Sequence, residues 1–382
     1  MKLRKCFIHI FLIITIKTGY SQKLNIALFH ENNIKTLVFS TVSGEYKITG
    51  NGLPVNISGP GDIYFIALEN GKLSVSDKAK SLGEYNKLEF TGKESVNTFQ
   101  LNPAFPALSS REYDDDLLLL SNKVNILIIN KIDIEKYITG VIETEGGSYA
   151  PLEFYKAQAI LIRTYAIKNM LRHSSNGFSL CDGTHCQAYK GKSRLNSQIY
   201  EAARVTKGKV LADNNNNLII TPYHSNCGGV TSNASEVWQK NLPYLAAIRD
   251  PFCTQSRNAT WEKRISVAKW ENYLRKNGIF TQNARSDQYV FSQFMRKKFY
   301  KFANQKILLT KIRDDWNLKS TFFSIKSDKN TLVLKGKGFG HGVGLCQEGA
   351  IEMAKVGYTY PDILHFYYKN VKVVDYNTIN KP

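Results

Sequence analysis

Between Lys23 and about Asn130, hydrophobic and polar side chains alternate in short runs: LNIALF, TLVFSTV, EYKITG, DIYFIAL, KLSVS and VNILIIN. A period of two puts every second side chain on the same face of a strand, and turn-forming pairs such as Asn51-Gly52, Gly59-Pro60 and Asn70-Gly71 separate the runs. This predicts a strand-rich region over residues 22–130, within which the charged run Arg111 to Asp116 (REYDDD) reads as a solvated loop. From Lys131 the texture changes. Pro151 to His173 predicts a helix, with proline in the first turn and basic residues at its end. On a helical wheel Glu153, Lys156, Arg163, Thr164 and Lys168 share one side, and Tyr155, Ala159, Ile162, Ala166 and Met170 the other. Gln158 falls beside the apolar face, so it is either hydrogen-bonded in the core or reaches a site.

The expected fold class is α+β: a strand-rich N-terminal region, then a mixed α/β unit over residues 131–378 that forms a groove. Within that unit, residues of about 254–330 form a variable subdomain. It contains an amphipathic helix candidate, ISVAKWENYLRKNG, and the basic, aromatic run QYVFSQFMRKKFYKF. Core packing is the expected role of Tyr289, Phe291 and Phe299, ahead of stacking on a ligand.

Residues 1–21 combine a basic start, MKLRK, with the apolar run CFIHIFLIITI and small residues up to Ser21. They are expected to be a signal peptide cleaved after Ser21, since 11 apolar residues are short for a membrane span. The remainder carries no apolar run long enough to span. An exported protein, periplasmic or extracellular, is expected. Removing Lys2, Arg4, Lys5 and Lys17 lowers the net charge from +19 to +15, which still favours a polyanionic partner. Zinc-finger spacing, an aromatic RNA-binding motif and a concentrated basic helix are all missing, and export argues against nucleic acid. Anionic cell-wall polymers suit the compartment better.

Candidate chemistry lies in four stretches. In YITGVIETEGGSYAP, Glu143 and Glu145 would point the same way if the segment is extended, and Gly146-Gly147 leaves space beside Glu145. In SLCDGTHCQAYKG, Cys181 and Cys186 flank His185, with His173 upstream, close enough to share a zinc ion. His224 and Cys227 precede Gly228-Gly229 in TPYHSNCGGVTSNASEVW. Export makes disulfides the competing fate, Cys181 with Cys186 or Cys227 with Cys253, and the five cysteines after Ser21 leave at least one unpaired. In KGKGFGHGVGLCQEGAIEMAKVGY, alternate glycines imply an extended backbone closely approached by its surroundings, with His341 in a groove of main chain, before a helix that begins at Gln347.

These stretches, in this order and extended by LPYL and TYPDILHFYY, resemble the SpoIID/LytB domain family of stage II sporulation protein D and amidase enhancer proteins. The resemblance frames roughly residues 131 to 372. It implies a lytic transglycosylase acting on peptidoglycan glycan strands, above all strands stripped of stem peptides. The family's catalytic glutamate lies five positions after the glycine of its Y-x-x-G-V-V pattern, which is Glu145 here, counted from Gly140. Glu143 and Gly146 depart from that pattern and leave Glu143 as the alternative acid. One carboxyl group suffices for such a reaction, because the C6 hydroxyl of N-acetylmuramic acid attacks its own C1 to close a 1,6-anhydro ring. The resemblance further implies sugar contacts from Gln158, Gln187, Tyr189, His224, Ser225, His341 and Gln347. It places zinc on His173, Cys181 and Cys186, with His185 able to replace one of them. The competing expectation is a non-catalytic, glycan-binding enhancer of an N-acetylmuramoyl-L-alanine amidase, for which the same groove would serve.

Overall fold

The computed structural model of the chain describes residues 22–194, 196–238, 241–281 and 284–380; the expected signal peptide, residues 1–21, lies outside them. Seven strands pair in the order Leu180–Cys181, Lys23–Leu28, Ile126–Asp133, Asp116–Ser121, Lys87–Gly92, Tyr46–Gly50 and Leu53–Ser58. Six more pair in the order Arg111–Asp114, Thr98–Phe105, Thr36–Ser43, Ile63–Glu69, Lys72–Ser76 and Ser81–Tyr85. The alternating pattern explains why the two sheets face each other. Phe39 of the second sheet stacks 4.1 Å from Phe90 of the first among buried aromatic and aliphatic side chains, and the buried Thr41 and Ser58 hydroxyls satisfy each other at 2.6 Å.

The run REYDDD is not a loop. Arg111–Asp114 is an edge strand on Thr98–Phe105, and Asp116 opens the next strand after a left-handed turn at Asp115 (φ 69°). Its acids are tolerated because each has a partner: Asp114 accepts from the Thr98 hydroxyl at 2.7 Å and from Lys192 at 3.1 Å, while Tyr113 is fully buried.

Strand Ile126–Asp133 runs directly into helix α1 (Ile134–Gly146), whose N-terminus is capped by the Asp133 carboxylate accepting from the Glu135 N–H at 2.8 Å. Residues Ile134, Tyr137, Ile138, Val141 and Ile142 are buried at helical spacing, which overrides the extended reading of this segment. Glu143 and Glu145 therefore point to different sides rather than the same side. Gly140 has a packing reason, because a β-carbon there would collide with the Gly191 carbonyl and the Tyr189 ring.

Helix α2 (Leu152–Lys168) stops short of His173, its C-terminus capped at Asn169. It lies among α1, helix α3 (Ser197–Val205), strand Lys209–Asp213 and helix Tyr360–Tyr367. The middle of its polar side is consequently buried along with its apolar side, while Glu153, Lys156 and Lys168 keep access to solvent. Arg163 and Thr164, on the polar side, are 1% and 0% exposed. Arg163 is compensated by a two-point pair with Glu135 at 2.9 and 2.5 Å and by the Lys209 carbonyl at 3.0 Å.

One continuous core, from Leu24 to Ile379, joins the strand-rich part to these helices, so the mixed α/β fold is packed as a whole. A second cluster, Ile265 to Leu334, gathers around Trp270 and includes Tyr289 and Phe291. It rests on the sheet Thr260–Ser266, Thr331–Lys337 and Phe323–Asp328. Among the described residues no helix is long and apolar enough to cross a membrane.

Candidate functional site

The last turn of α1, the segment after Cys186, the strand Tyr223–His224 and the glycine-rich loop before helix Gln347–Lys355 surround a cleft of about 860 Å³. Tyr223–His224 pairs in parallel with Leu345–Cys346, which brings residues more than a hundred positions apart into one wall. The glycine loop allows this approach. Gly340 has φ +109°, and a β-carbon there would sit 2.8 Å from that of His224. Glu145, Gln187, His224, Ser225, His341 and Gln347 all line the cleft.

Glu145 is held at both ends. Its Oε1 accepts from the Ala188 N–H at 2.5 Å, and its main-chain carbonyl accepts from Gln347 Nε2 at 3.1 Å. Burial pushes its carboxyl above the ordinary glutamate range, and hydrogen bonds from the Tyr223 hydroxyl and Ala188 only partly offset this. Glu143 faces away, towards the Ser193 hydroxyl at 2.7 Å and the Arg194 N–H at 3.0 Å. Because Glu145 binds its proton more tightly folded than unfolded, stability falls as pH rises from the usual carboxylate range through its raised value. Glu145→Gln keeps an acceptor for Ala188 and should melt higher than the parent at neutral pH. The advantage should vanish below the usual carboxylate range in thermal melts from pH 3 to 8; an equal gain at every pH would refute the role of ionisation.

The two histidines are arranged as a complementary pair. His224 Nδ1–H donates to the Val343 carbonyl at 3.2 Å, leaving the buried Nε2 as an acceptor with no protein partner among the described residues. His341 Nδ1 accepts from the Val343 N–H at 3.0 Å, so its Nε2 carries the proton. Burial, and then each other's or neighbouring arginine charge, depresses both, His341 to about 4, so the cleft presents uncharged imidazoles at neutral pH. The His341 ring also lies 5.3 Å from the half-exposed indole of Trp238.

Two expected contact residues lie outside the cleft. Gln158 is fully buried in α2, with neither amide atom partnered among the described residues, because its face of the helix is covered by packed neighbours. Tyr189 is buried against Tyr137 at 5.1 Å and its hydroxyl reaches Asn130 at 3.3 Å. Conversely Tyr223, Trp238, Arg172 and Arg313 line the cleft without having been singled out. Trp238 and Tyr223 sit inside the motif TPYHSNCGGVTSNASEVW, but only the folded chain brings them to one cleft.

The donor atoms of His173, Cys181, His185 and Cys186 lie within 4.8 Å of one another, next to the cleft, and those of Cys227, Asp250, Cys253 and Cys346 form a second such group. In the first, His173 Nε2 is 3.3 Å from Cys186 Sγ and His185 Nδ1 is 3.7 Å from Cys181 Sγ. A hydrogen bond from the Cys186 thiol pulls the Cys181 thiol down towards the thiolate form. All five described cysteines are free, so neither expected disulfide is formed.

Residues 122–212 match the family described as stage II sporulation protein. The chain is 29% identical to an uncharacterized protein of Brachyspira hyodysenteriae over 94% of its own length and 97% of that protein's. It is 31% identical to stage II sporulation protein D of Bacillus amyloliquefaciens, over 64% of its own length and 75% of that protein's. It is also 30% identical to the amidase enhancer of Bacillus subtilis, over 63% of its own length but 40% of that protein's. These names overturn the expectation of a lytic transglycosylase, and of an enzyme, since they point to an accessory role. The assignment of Glu145 as a catalytic acid falls with that expectation.

Proposed function

Since the chain belongs to the stage II sporulation protein D family, we propose that it is a non-catalytic enhancer of a cell-wall N-acetylmuramoyl-L-alanine amidase, holding peptidoglycan glycan strands in the Glu145 cleft. The supporting observation is the convergence of polar, uncharged donors and acceptors from four distant segments on one cleft beside an aromatic ring. Sugar rings need this combination: hydroxyls and N-acetyl groups take paired donors and acceptors, and the ring face lies on an aromatic surface. His224 and His341 present uncharged imidazole rings to the cleft, while Glu145, Ser225, Gln187 and Gln347 complete the polar lining. Arg172 and Arg313 at the cleft give the basic chain a local place to meet anionic glycan.

In this reading, glycan contact belongs to the 131–378 portion of an exported protein, with the strand-rich residues 22–130 as its platform and about 254–330 as a variable part. The two-sulfur, two-nitrogen donor set of Cys181, Cys186, His173 and His185 fits zinc. The ion's contribution there would be structural, fixing the segment that presents Gln187 and the Ala188 N–H to the cleft.

The test combines the chain from residue 22 onward with a purified cell-wall amidase and intact sacculi. Amidase turnover should rise several-fold, and isolated glycan strands should bind the chain. His224→Ala with Gln347→Ala should abolish both effects while the fold persists by circular dichroism. Cleavage of glycan by the chain alone, or unchanged enhancement by the double variant, would overturn the proposal.

A further inference from the structure

Cys227, Asp250, Cys253 and Cys346 are each 0% exposed, and their donor atoms lie within 4.8 Å of one another. Cys227 Sγ is 3.3 Å from Cys253 Sγ and 3.2 Å from Asp250 Oδ2. We propose that these four residues form a buried zinc site, separate from the histidine-containing cluster at the cleft.

Three features carry this assignment. The first is charge. A fully buried carboxyl normally has a cationic partner, yet among the described residues Asp250 has no ion pair; its oxygens accept only from the Tyr367 hydroxyl at 2.9 Å, the Phe252 N–H at 3.0 Å and the Cys227 thiol. A dication would supply the missing charge to the acid and the sulfurs together. The second is the surroundings of the sulfurs. Cys346 Sγ accepts from the Cys227 N–H at 3.2 Å and from the Gly349 N–H at 3.4 Å, where it caps helix Gln347–Lys355. Main-chain donors of this kind stabilise a thiolate, and the Tyr367 hydroxyl fixes the carboxylate as an outer hydrogen bond fixes a metal ligand. The third is the donor set. Three thiolates and one carboxylate in a closed, dry, four-coordinate arrangement select zinc over harder cations.

The ligands come from three segments, two of which belong to the cleft's framework. Cys227 follows His224 and Ser225; Cys346 precedes Gln347, whose amide holds the Glu145 carbonyl. The ion would therefore pin together, from behind, the two paired strands that make one wall of the cleft, without meeting a ligand in it. The rival fate is a Cys227–Cys253 disulfide, which would leave Cys346 and the buried Asp250 uncompensated.

The experiment uses the chain from residue 22 onward, produced with zinc under reducing conditions and counted by native mass spectrometry. Wild type should hold two zinc ions, Cys181→Ser/Cys186→Ser one, and Cys253→Ser one. Should both variants fail to fold, wild type still decides: on stepwise cobalt(II) loading, both equivalents should bring thiolate-to-cobalt charge-transfer absorption. A wild type holding no ion, a folded Cys181→Ser/Cys186→Ser variant holding none, a second cobalt equivalent lacking that absorption, or a Cys227–Cys253 disulfide mapped in the zinc-loaded protein would overturn the proposal.

Discussion

Replacing Arg163 with Met should cost the folded protein about 3–5 kcal/mol, the range for removing one partner of a buried ion pair. The loss would strand the Glu135 carboxylate between α1 and α2 and leave the Lys209 carbonyl without its donor. Adding Glu135→Leu should recover much of it, because the remaining charge then disappears as well. Urea denaturation of the single and double variants measures both. A single-variant loss below about 1 kcal/mol would show that water reaches the pair and that α2 is less enclosed than described.

Arg163 also marks the limit of what the amino-acid pattern reveals. The wheel places it beside Glu153 and Lys156 on a polar side, but α2 is covered on that side too, by α3 and strand Lys209–Asp213. A single helix's periodicity cannot register a second layer of neighbours. The same blindness applies to YITGVIETEGG, where three glycines and β-branched residues suggest extension while burial at positions 134, 137, 138, 141 and 142 makes it a helix. By contrast, the alternating runs from Leu24 to Asn130 are legible because hairpin neighbours are close in sequence. The glycine loop and following helix are legible because positive backbone angles at Gly338, Gly340, Gly342 and Gly344 demand glycine. In the site, Cys181, His185 and Cys186 stand within six positions of one another, so their grouping is visible at once. The second cluster draws on residues 227 to 346, and only the folded chain assembles it.

Trp238→Ala should weaken binding of isolated glycan strands roughly 30-fold, about 2 kcal/mol, the threshold for an aromatic anchor at a binding site. The indole is 38% exposed and stands beside His341, so truncation removes a stacking surface rather than a core side chain. Stability should change little, which separates this effect from that of Arg163. Isothermal titration calorimetry with purified strands provides the measurement, and Trp238→Phe should retain most of the affinity. A loss under about 3-fold for the alanine variant would shift the weight of recognition onto the polar residues.

The strand Lys23–Leu28 sits between Ile126–Asp133, to which it is antiparallel, and Leu180–Cys181, to which it is parallel. The first segment described is thus an interior member of its sheet, second from the edge, and both its neighbours are made much later. The hairpins between residues 36 and 105 can pair as soon as each turn exists, whereas Leu24 and Ile26 must wait for a strand about a hundred residues downstream. Closing that long loop is a late and entropically costly event in folding. Until it occurs, an apolar strand has two open edges, which makes this interval the one most vulnerable to self-association and to proteases.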